Sequence, residues 1–123
     1  MAPGGRRIER IRGTPLLSTR MTTKTSVGLV VRLVAKPGKE ETVAMFLAGA
    51  QPLAVAEAFT PAWFALRASP TVFYIVDAFA SDADRSKHLA GEIAKALMSH
   101  AGELLAEPPA IEKVDVLGSK LPG

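Results

Sequence analysis

The alternation of apolar and polar positions along the chain predicts four strands and two long helical segments. The run Val27–Ala35 is apolar and rich in β-branched residues, and Pro37-Gly38 follows it closely, which is typical of a strand that ends in a turn. Two further apolar runs flank the short turn Ala68-Ser69-Pro70 and predict a hairpin. The predicted strands are Val27–Ala35, Pro61–Arg67, Thr71–Phe79 and Ile111–Leu117.

The first helical segment is predicted to begin after Pro37-Gly38. Glu40 and Glu41 lie in its first turn, where the positive end of the helix dipole favours carboxylates. Pro52 lies inside the pattern and is expected to kink or end the helix near Gln51 because it cannot donate a backbone hydrogen bond. The positions that follow the helical period are Val43, Phe46, Leu47, Ala50, Leu53, Ala54 and Glu57.

The second helical segment is predicted to begin at Ser81, whose hydroxyl can cap the helix, with Asp84 in the place of the capping-box acid. Leu89, Ile93, Leu97 and Ala96 are predicted to face inward. Gly91 weakens the helix locally.

The element order is therefore β-α-β-β-α-β, an α+β fold of the ferredoxin-like type with a four-stranded antiparallel sheet. Two helices cover one face of such a sheet and leave the other open. In the first strand both faces are largely apolar, so the open face would expose apolar side chains to water. We therefore expect a homodimer in which two sheets pack face to face.

Composition narrows the possible chemistry. The 123 residues suffice for one domain, and the absence of cysteine excludes disulfides and thiolate chemistry and fits a cytoplasmic location. His88 and His100 are the only histidines, and no metal-binding spacing surrounds them, so we expect no metal site. No apolar run is long enough for a membrane span. No nucleotide-binding glycine motif is present, so no organic cofactor is expected.

The net charge of +3 is unevenly distributed. Residues 1–25 carry six basic residues and one acidic residue, whereas the remainder carries nine basic and eleven acidic residues. The acidic body has no basic face, so no nucleic-acid partner is expected. Three interpretations of the basic extension 1–25 remain open: a flexible extension, a start assigned too early because Met21 precedes the first strand, or an arm that packs on a partner subunit. The apolar contacts of such an arm would be Ile8, Ile11, Leu16 and Leu17.

Two side chains are candidates for a ligand site. Trp63, the single tryptophan, would line a pocket or serve as a core or interface aromatic residue. His88 lies at the edge of the apolar stripe on the second helix, where it could transfer a proton near neutral pH or bind a backbone carbonyl.

Asp77 shares a strand face with apolar residues, and Tyr74 lies on the opposite face of that strand. A buried Asp77 carboxylate needs a partner, and Arg32 or Arg67 on neighbouring strands could supply it. Such a pair would orient a polar substrate or serve as a structural ion pair. Arg32, Tyr74 and Asp77 therefore join Trp63 as candidate substrate-binding residues.

Two segments resemble the antibiotic biosynthesis monooxygenase family over about residues 26–120. Val31–Glu41 (VRLVAKPGKEE) is similar to the first strand and helix opening of that family. Val72–Phe79, followed by Ser81-Asp82 and Lys87-His88-Leu89, is similar to its third strand and histidine-bearing helix.

The resemblance implies a dimeric α/β barrel. Some members of the family oxidise polycyclic phenols or quinols with molecular oxygen and without metal or flavin, in a pocket that excludes water and removes a proton from the substrate. Trp63 and His88 match pocket positions of that kind, with His88 as base or hydrogen-bond donor. Haem-degrading members pair an asparagine with a histidine at places occupied here by Val31 and Met98, so haem degradation is not expected.

Two hypotheses follow. The first is a cofactor-independent monooxygenase with a quinol or other phenolic substrate. The second is a non-catalytic dimer that binds a small molecule or is associated with stress. A cavity that contains Trp63 and His88 together would favour the first, whereas a solid barrel would favour the second.

Overall fold

The computed structural model describes residues 25–122, so the predicted basic extension lies outside the described residues apart from Thr25. The described chain contains four strands and four helices. The strands are β1 (Val27–Val34), β2 (Ala62–Arg67), β3 (Val72–Phe79) and β4 (Ala110–Asp115). The helices are α1 (Glu40–Gly49), α2 (Gln51–Ala56), α3 (Asp82–Leu89) and α4 (Glu92–Leu104).

The strands form one antiparallel sheet in the order β2-β3-β1-β4. This order is that of the ferredoxin-like fold, so the predicted fold class is confirmed. The register places Asp77 of β3 between Leu29 of β1 and Trp63 of β2. Because facing residues in adjacent strands point to the same side of a sheet, these three side chains lie on one face.

The hydrophobic core lies between that face and the helices. Alternate residues of β1 and β3 point into it, and Phe79 is fully buried. Burial of each large apolar side chain contributes about 1.5–3 kcal/mol to stability, so the sheet–helix interface accounts for most of the hydrophobic stabilisation. The largest fully buried side chains are Phe73, Phe79, Leu29, Leu33 and Val43.

Both predicted helical segments are interrupted. Ala50 separates α1 from α2, and Pro52 occupies the first turn of α2, so the predicted break near Gln51 is confirmed. Ala90 and Gly91 separate α3 from α4, which is a stronger effect than the local weakening that Gly91 predicted. The predicted cap of α3 is confirmed, because Ser81 Oγ accepts a hydrogen bond of 3.2 Å from the Asp84 N–H.

The last strand begins at Ala110 and ends at Asp115, before the predicted Leu117. Asp115 pairs with Val27, the first residue of β1, so the ladder has no further partner residue beyond it. Beyond this pair, the Val116 N–H donates a hydrogen bond of 2.9 Å to the Ser26 carbonyl.

The sheet face opposite the helices carries apolar side chains. Phe64 and Leu66 on β2 remain 53% and 46% exposed, and no helix of residues 25–122 packs on this side. Val30 and Val76 on the two central strands are half-buried on the same face.

Within residues 25–122, no helix is both long and apolar enough to cross a membrane.

Candidate functional site

His88 lies in the last turn of α3 and points into the protein interior. It is only 5% exposed, although its place in the sequence indicated the edge of the buried stripe. The centre of its ring is 5.2 Å from that of Phe79, in a tilted aromatic contact. His88 is therefore a buried residue of the sheet–helix interface.

Two carboxylates flank the His88 imidazole. The Nδ1 atom donates a hydrogen bond of 2.7 Å to Glu57 Oε1, and the Nε2 atom lies 3.1 Å from Asp77 Oδ2. Thr60 Oγ1 donates a further hydrogen bond of 2.8 Å to Glu57 Oε1. The ring is thus held between the end of α2 and the third strand of the sheet.

The Asp77 carboxylate is buried and incompletely paired. Its contact with His88 Nε2 is a close ion pair, but it lacks the geometry of a directed hydrogen bond. Among the described residues, neither Asp77 oxygen has a directed donor. Because a buried acceptor without a donor is costly, this carboxylate is a natural binding point for a ligand hydroxyl or a water molecule.

The expected pairing of Asp77 with Arg32 or Arg67 is wrong. Arg32 is exposed on the open face of the sheet, since the register places it opposite Tyr74 and Ala110. Arg67 shares the face of Asp77 but pairs with Glu41 of α1 at 2.8 Å, and its guanidinium lies 5.0 Å from the centre of the Phe73 ring. The partner of Asp77 is His88, which comes from a helix rather than from a strand.

The charges around His88 determine its protonation. Burial lowers the pKa of the imidazole, but the contacts with Asp77 and Glu57 and the negative charges of these groups outweigh that effect, so the pKa is raised. Both ring nitrogens face a carboxyl group, Nδ1 that of Glu57 and Nε2 that of Asp77. Consequently His88 has no free nitrogen to accept a substrate proton, and it serves more readily as a hydrogen-bond donor than as a base.

Arg85 fixes α3 on the sheet three residues before His88. Its Nη1 atom donates hydrogen bonds of 3.1 Å and 3.2 Å to the carbonyls of Gly28 and Val114. Its Nη2 atom pairs with Asp82 at 2.7 Å, and this interaction lowers the pKa of the Asp82 carboxyl group. The position of His88 therefore depends on Arg85, a second buried basic side chain, which is hydrogen-bonded to the backbone of β1 and β4.

A cavity of about 100 Å³ lies beside Asp77 and His88, between the sheet and helices α3 and α4. All its other lining residues are apolar. Met98 and Ile111 are 58% and 46% exposed and form its outer wall, whereas most of the remaining lining residues are buried. The apolar lining residues are Leu29, Val31, Ile75, Leu89, Ile93, Ala94, Leu97, Met98 and Ile111.

Trp63 lies next to this cavity rather than in its wall. It is paired in register with Asp77 and packs against Ala50, Ala54 and Ile93. Its Nε1 atom is buried and has no acceptor among residues 25–122. The structure thus brings Trp63, Asp77 and His88 into one neighbourhood, but only Asp77 and His88 line the cavity.

Tyr74 does not belong to this neighbourhood. It is half-buried on the open face of β3, where Arg32 and Leu66 are its register neighbours. Tyr74 and Arg32 therefore do not line the cavity beside His88, because the alternation of a strand turns their side chains away from the helices, and their substrate-binding roles stay predictions.

Glu57 is the functional residue that the sequence interpretation missed. It follows α2 as the residue at its C-terminal end and contacts His88, which is 31 positions later in the chain. The available signal was an acidic residue that continues the helical period of an otherwise apolar stripe. Such a position indicates a buried carboxylate that requires a partner.

No group of three or more His, Asp or Glu side chains in the described chain is arranged to hold a metal ion. The geometry gives the reason: Glu57 and Asp77 bind different nitrogens of the same ring, so the three side chains do not converge on one point.

No protein-family model matches the chain, and no curated protein is significantly similar to it. Solved structures do match. The NE2512 protein from Nitrosomonas europaea, of unknown function, is 54% identical, with a TM-score of 0.80 and coverage of 82% of this chain and 98% of that one. PA3566 from Pseudomonas aeruginosa is 21% identical, with a TM-score of 0.68 and coverage of 78% and 98%. A protein named antibiotic biosynthesis monooxygenase is 14% identical, with a TM-score of 0.66 and coverage of 75% and 99%.

Proposed function

The chain belongs to the family of the Nitrosomonas europaea NE2512 protein and has the fold of the antibiotic biosynthesis monooxygenases, and on this premise we propose that it is a cofactor-independent monooxygenase. Its substrate would be a quinol or a polycyclic phenol, which it oxidises with molecular oxygen. The function of the NE2512 protein is unknown, so the proposal depends on the site itself.

The observation that carries the proposal is the position of Asp77. Its carboxylate is buried in the wall of a mostly apolar cavity, has no directed donor within residues 25–122, and lies 3.1 Å from Nε2 of His88. A phenol hydroxyl in the cavity would donate to Asp77, and the apolar walls would exclude water from the ring. This arrangement suits removal of a hydroxyl proton in a medium of low dielectric constant.

The chemistry then requires no group beyond the substrate and oxygen. The hydroxyl proton passes to Asp77, and the His88 imidazolium stabilises the negative charge that develops on the substrate oxygen. The electron-rich anion reacts with oxygen, and a new C–O bond forms at a ring carbon that bears hydrogen. This is the carbon opposite the hydroxyl in a phenol, or a carbon next to a hydroxyl in a quinol. The O–O bond then breaks, and the hydroxyl proton and the hydrogen of that carbon leave with the second oxygen atom as water. The product is a quinone from a phenol and a hydroxyquinone from a quinol.

Oxygen consumption tests the proposal directly. The purified full chain is given a panel of quinols and hydroxylated polycyclic phenols without added metal or flavin. We expect uptake above autoxidation and a loss of about 10²–10⁴-fold in Asp77→Asn, the range that a general base contributes. Met45→Gln, a change at an exposed position of α1, is the matched control and should keep full activity. Equal rates for the wild type and Asp77→Asn would contradict the proposal.

A non-catalytic role is the second candidate, and the cavity volume of about 100 Å³ favours it. A cavity of this size suits a small ligand better than a ring system of several fused rings. Tight binding of a phenol without oxygen uptake would support this role and would exclude the monooxygenase.

We also propose that the protein is a homodimer. Phe64 and Leu66 leave apolar surface exposed on the open face, and a second copy could cover it with the same residues.

The cytoplasmic location stays a prediction from the absence of cysteine.

A further inference from the structure

We propose that the cavity beside His88 binds a single aromatic ring with a neutral hydroxyl group that donates to Asp77, and that Met98 and Ile111 set the upper size limit. This inference rests on the proposed function, because it names the substrate class of the same site. It narrows the phenolic substrates to monocyclic ones.

The size of the cavity supports one ring. Its volume is about 100 Å³, and an apolar cavity of roughly 150 Å³ in another protein binds benzene. One six-membered ring is therefore near the limit of what the apolar walls can hold. A second fused ring would have to displace the outer wall at Met98 and Ile111.

The polarity of the inner end supports a hydroxyl donor. Both Asp77 oxygens are buried without a directed donor in the described part of the chain, so a ligand O–H group would satisfy an acceptor that is otherwise unsatisfied. An ether oxygen in the same place has no hydrogen to donate, so two hydrogen-bond acceptors, the ether oxygen and the Asp77 carboxylate, would face each other. Binding of the ether is expected to be about 10- to 100-fold weaker than that of the phenol.

The charge of the site selects the neutral form of the ligand. Two acidic side chains flank one histidine, so the group formed by Glu57, His88 and Asp77 contains more acidic than basic groups. A phenolate that approaches from solution would be repelled, whereas a neutral phenol would not. The proton is thus removed after binding rather than before it.

The exposure pattern identifies the entrance. Met98 on α4 and Ile111 on β4 are the most exposed residues of the lining, and they lie on different sides of the gap between the helix and the strand. Met98 is also the more adaptable of the two, because its side chain is unbranched and flexible. Truncation of Met98 should therefore admit a larger ligand without any change at Asp77.

Calorimetric titration of the full chain in the absence of oxygen tests these points, with phenol, anisole and 2-naphthol as probes. We expect phenol to bind at least about tenfold more tightly than anisole and than 2-naphthol in the wild type. Asp77→Asn should reduce the preference for phenol over anisole to less than about threefold, and Met98→Ala should improve 2-naphthol binding by about tenfold. Met45→Ala, at another exposed methionine, should change none of these values.

Equal binding of phenol and anisole by the wild type would overturn the inference, as would tighter binding of 2-naphthol than of phenol, or no binding of phenol. These wild-type comparisons do not depend on the folding of any variant. The proposed function fails separately: phenol binding without oxygen uptake would refute the monooxygenase and leave the one-ring site intact. Oxygen uptake with two-ring substrates but not with one-ring substrates would support the monooxygenase and refute the one-ring site.

Discussion

The Nδ1 atom of His88 lies 2.7 Å from Oε1 of Glu57, although the two residues belong to different helical segments and are 31 positions apart. This contact joins the end of α2 to the end of α3 above the sheet. It gives His88 a second carboxylate in addition to Asp77 and fixes which ring nitrogen faces the strand. The site therefore depends on a residue that does not line the cavity.

Replacement of Glu57 by Gln should lower the pKa of His88. The variant removes one of the two negative charges that favour the imidazolium and leaves burial, which opposes it. The free energy of unfolding should fall by about 1–3 kcal/mol, since a buried charged hydrogen bond is weakened. NMR titration of the imidazole protons measures the pKa, and the exposed His100 serves as an internal reference.

The matched control for Glu57→Gln is Glu103→Gln, at an exposed position of α4. It should leave the titration of His88 unchanged. An unchanged His88 titration in Glu57→Gln would show that Asp77 alone sets the protonation of the ring.

Stability should depend on pH through His88. Its pKa is raised in the folded state, whereas it is about 6.5 in the unfolded chain, so the folded state binds the proton more tightly. The contribution is then fully present below about pH 6.5 and is lost as the pH rises through the folded pKa. Chemical denaturation of the wild type and His88→Gln from about pH 5.5 to about pH 9 should show a stability difference that shrinks with rising pH. A difference that grew in this direction would mean that the buried ring is neutral.

The strands and the fold class could be predicted because their signals are local. Val27–Ala35 and Thr71–Phe79 differ from the observed β1 and β3 by one residue at one end, since a breaker follows or precedes each apolar run. The break after Ala50 followed from Pro52, which cannot donate the required backbone hydrogen bond.

The site was only partly predictable because its contacts are not local. His88 and Asp77 were both candidates, but their pairing depends on how α3 lies across the sheet, which no spacing encodes. Glu57 follows α2 and is 31 positions away from His88 in the sequence. The one sign of its role in the sequence was an acidic residue on an otherwise apolar helical stripe. Arg32 and Tyr74 lie outside this neighbourhood, because the alternation of β1 and β3 places both on the face away from the helices.

Two glycines should respond in opposite ways to replacement by alanine. A Cβ atom at Gly91 would lie 3.0 Å from Glu57 Oε2, so Gly91→Ala should displace Glu57 or the start of α4 and destabilise the protein by about 1–3 kcal/mol. A Cβ atom at Gly102, inside α4, would meet no atom of the described chain within 4 Å apart from its chain neighbours and the backbone of its own helix. Gly102→Ala should therefore stabilise the protein by up to about 1 kcal/mol, because alanine favours the helix.

Thermal or urea denaturation of the two variants measures these changes, and the His88 titration adds a specific readout for Gly91→Ala. If Glu57 moves away from the ring, the pKa of His88 should fall as it does in Glu57→Gln. Equal stability of the two alanine variants would refute the predicted clash between a Cβ atom at position 91 and Glu57.

Substitution of Phe64 by Lys should disrupt the proposed homodimer. Phe64 is 53% exposed at the centre of β2, and a charge there would have to be buried between two sheets that pack face to face. We expect dissociation to become at least about 30-fold more favourable, since loss of a central aromatic residue of an interface costs about 2 kcal/mol or more. Analytical ultracentrifugation over a concentration series measures this change. Val55→Lys, at an exposed apolar position of α2, is the control and should leave the association unchanged. A wild-type protein that is monomeric at all concentrations would contradict the dimer, and a Phe64→Lys dimer would place the interface elsewhere.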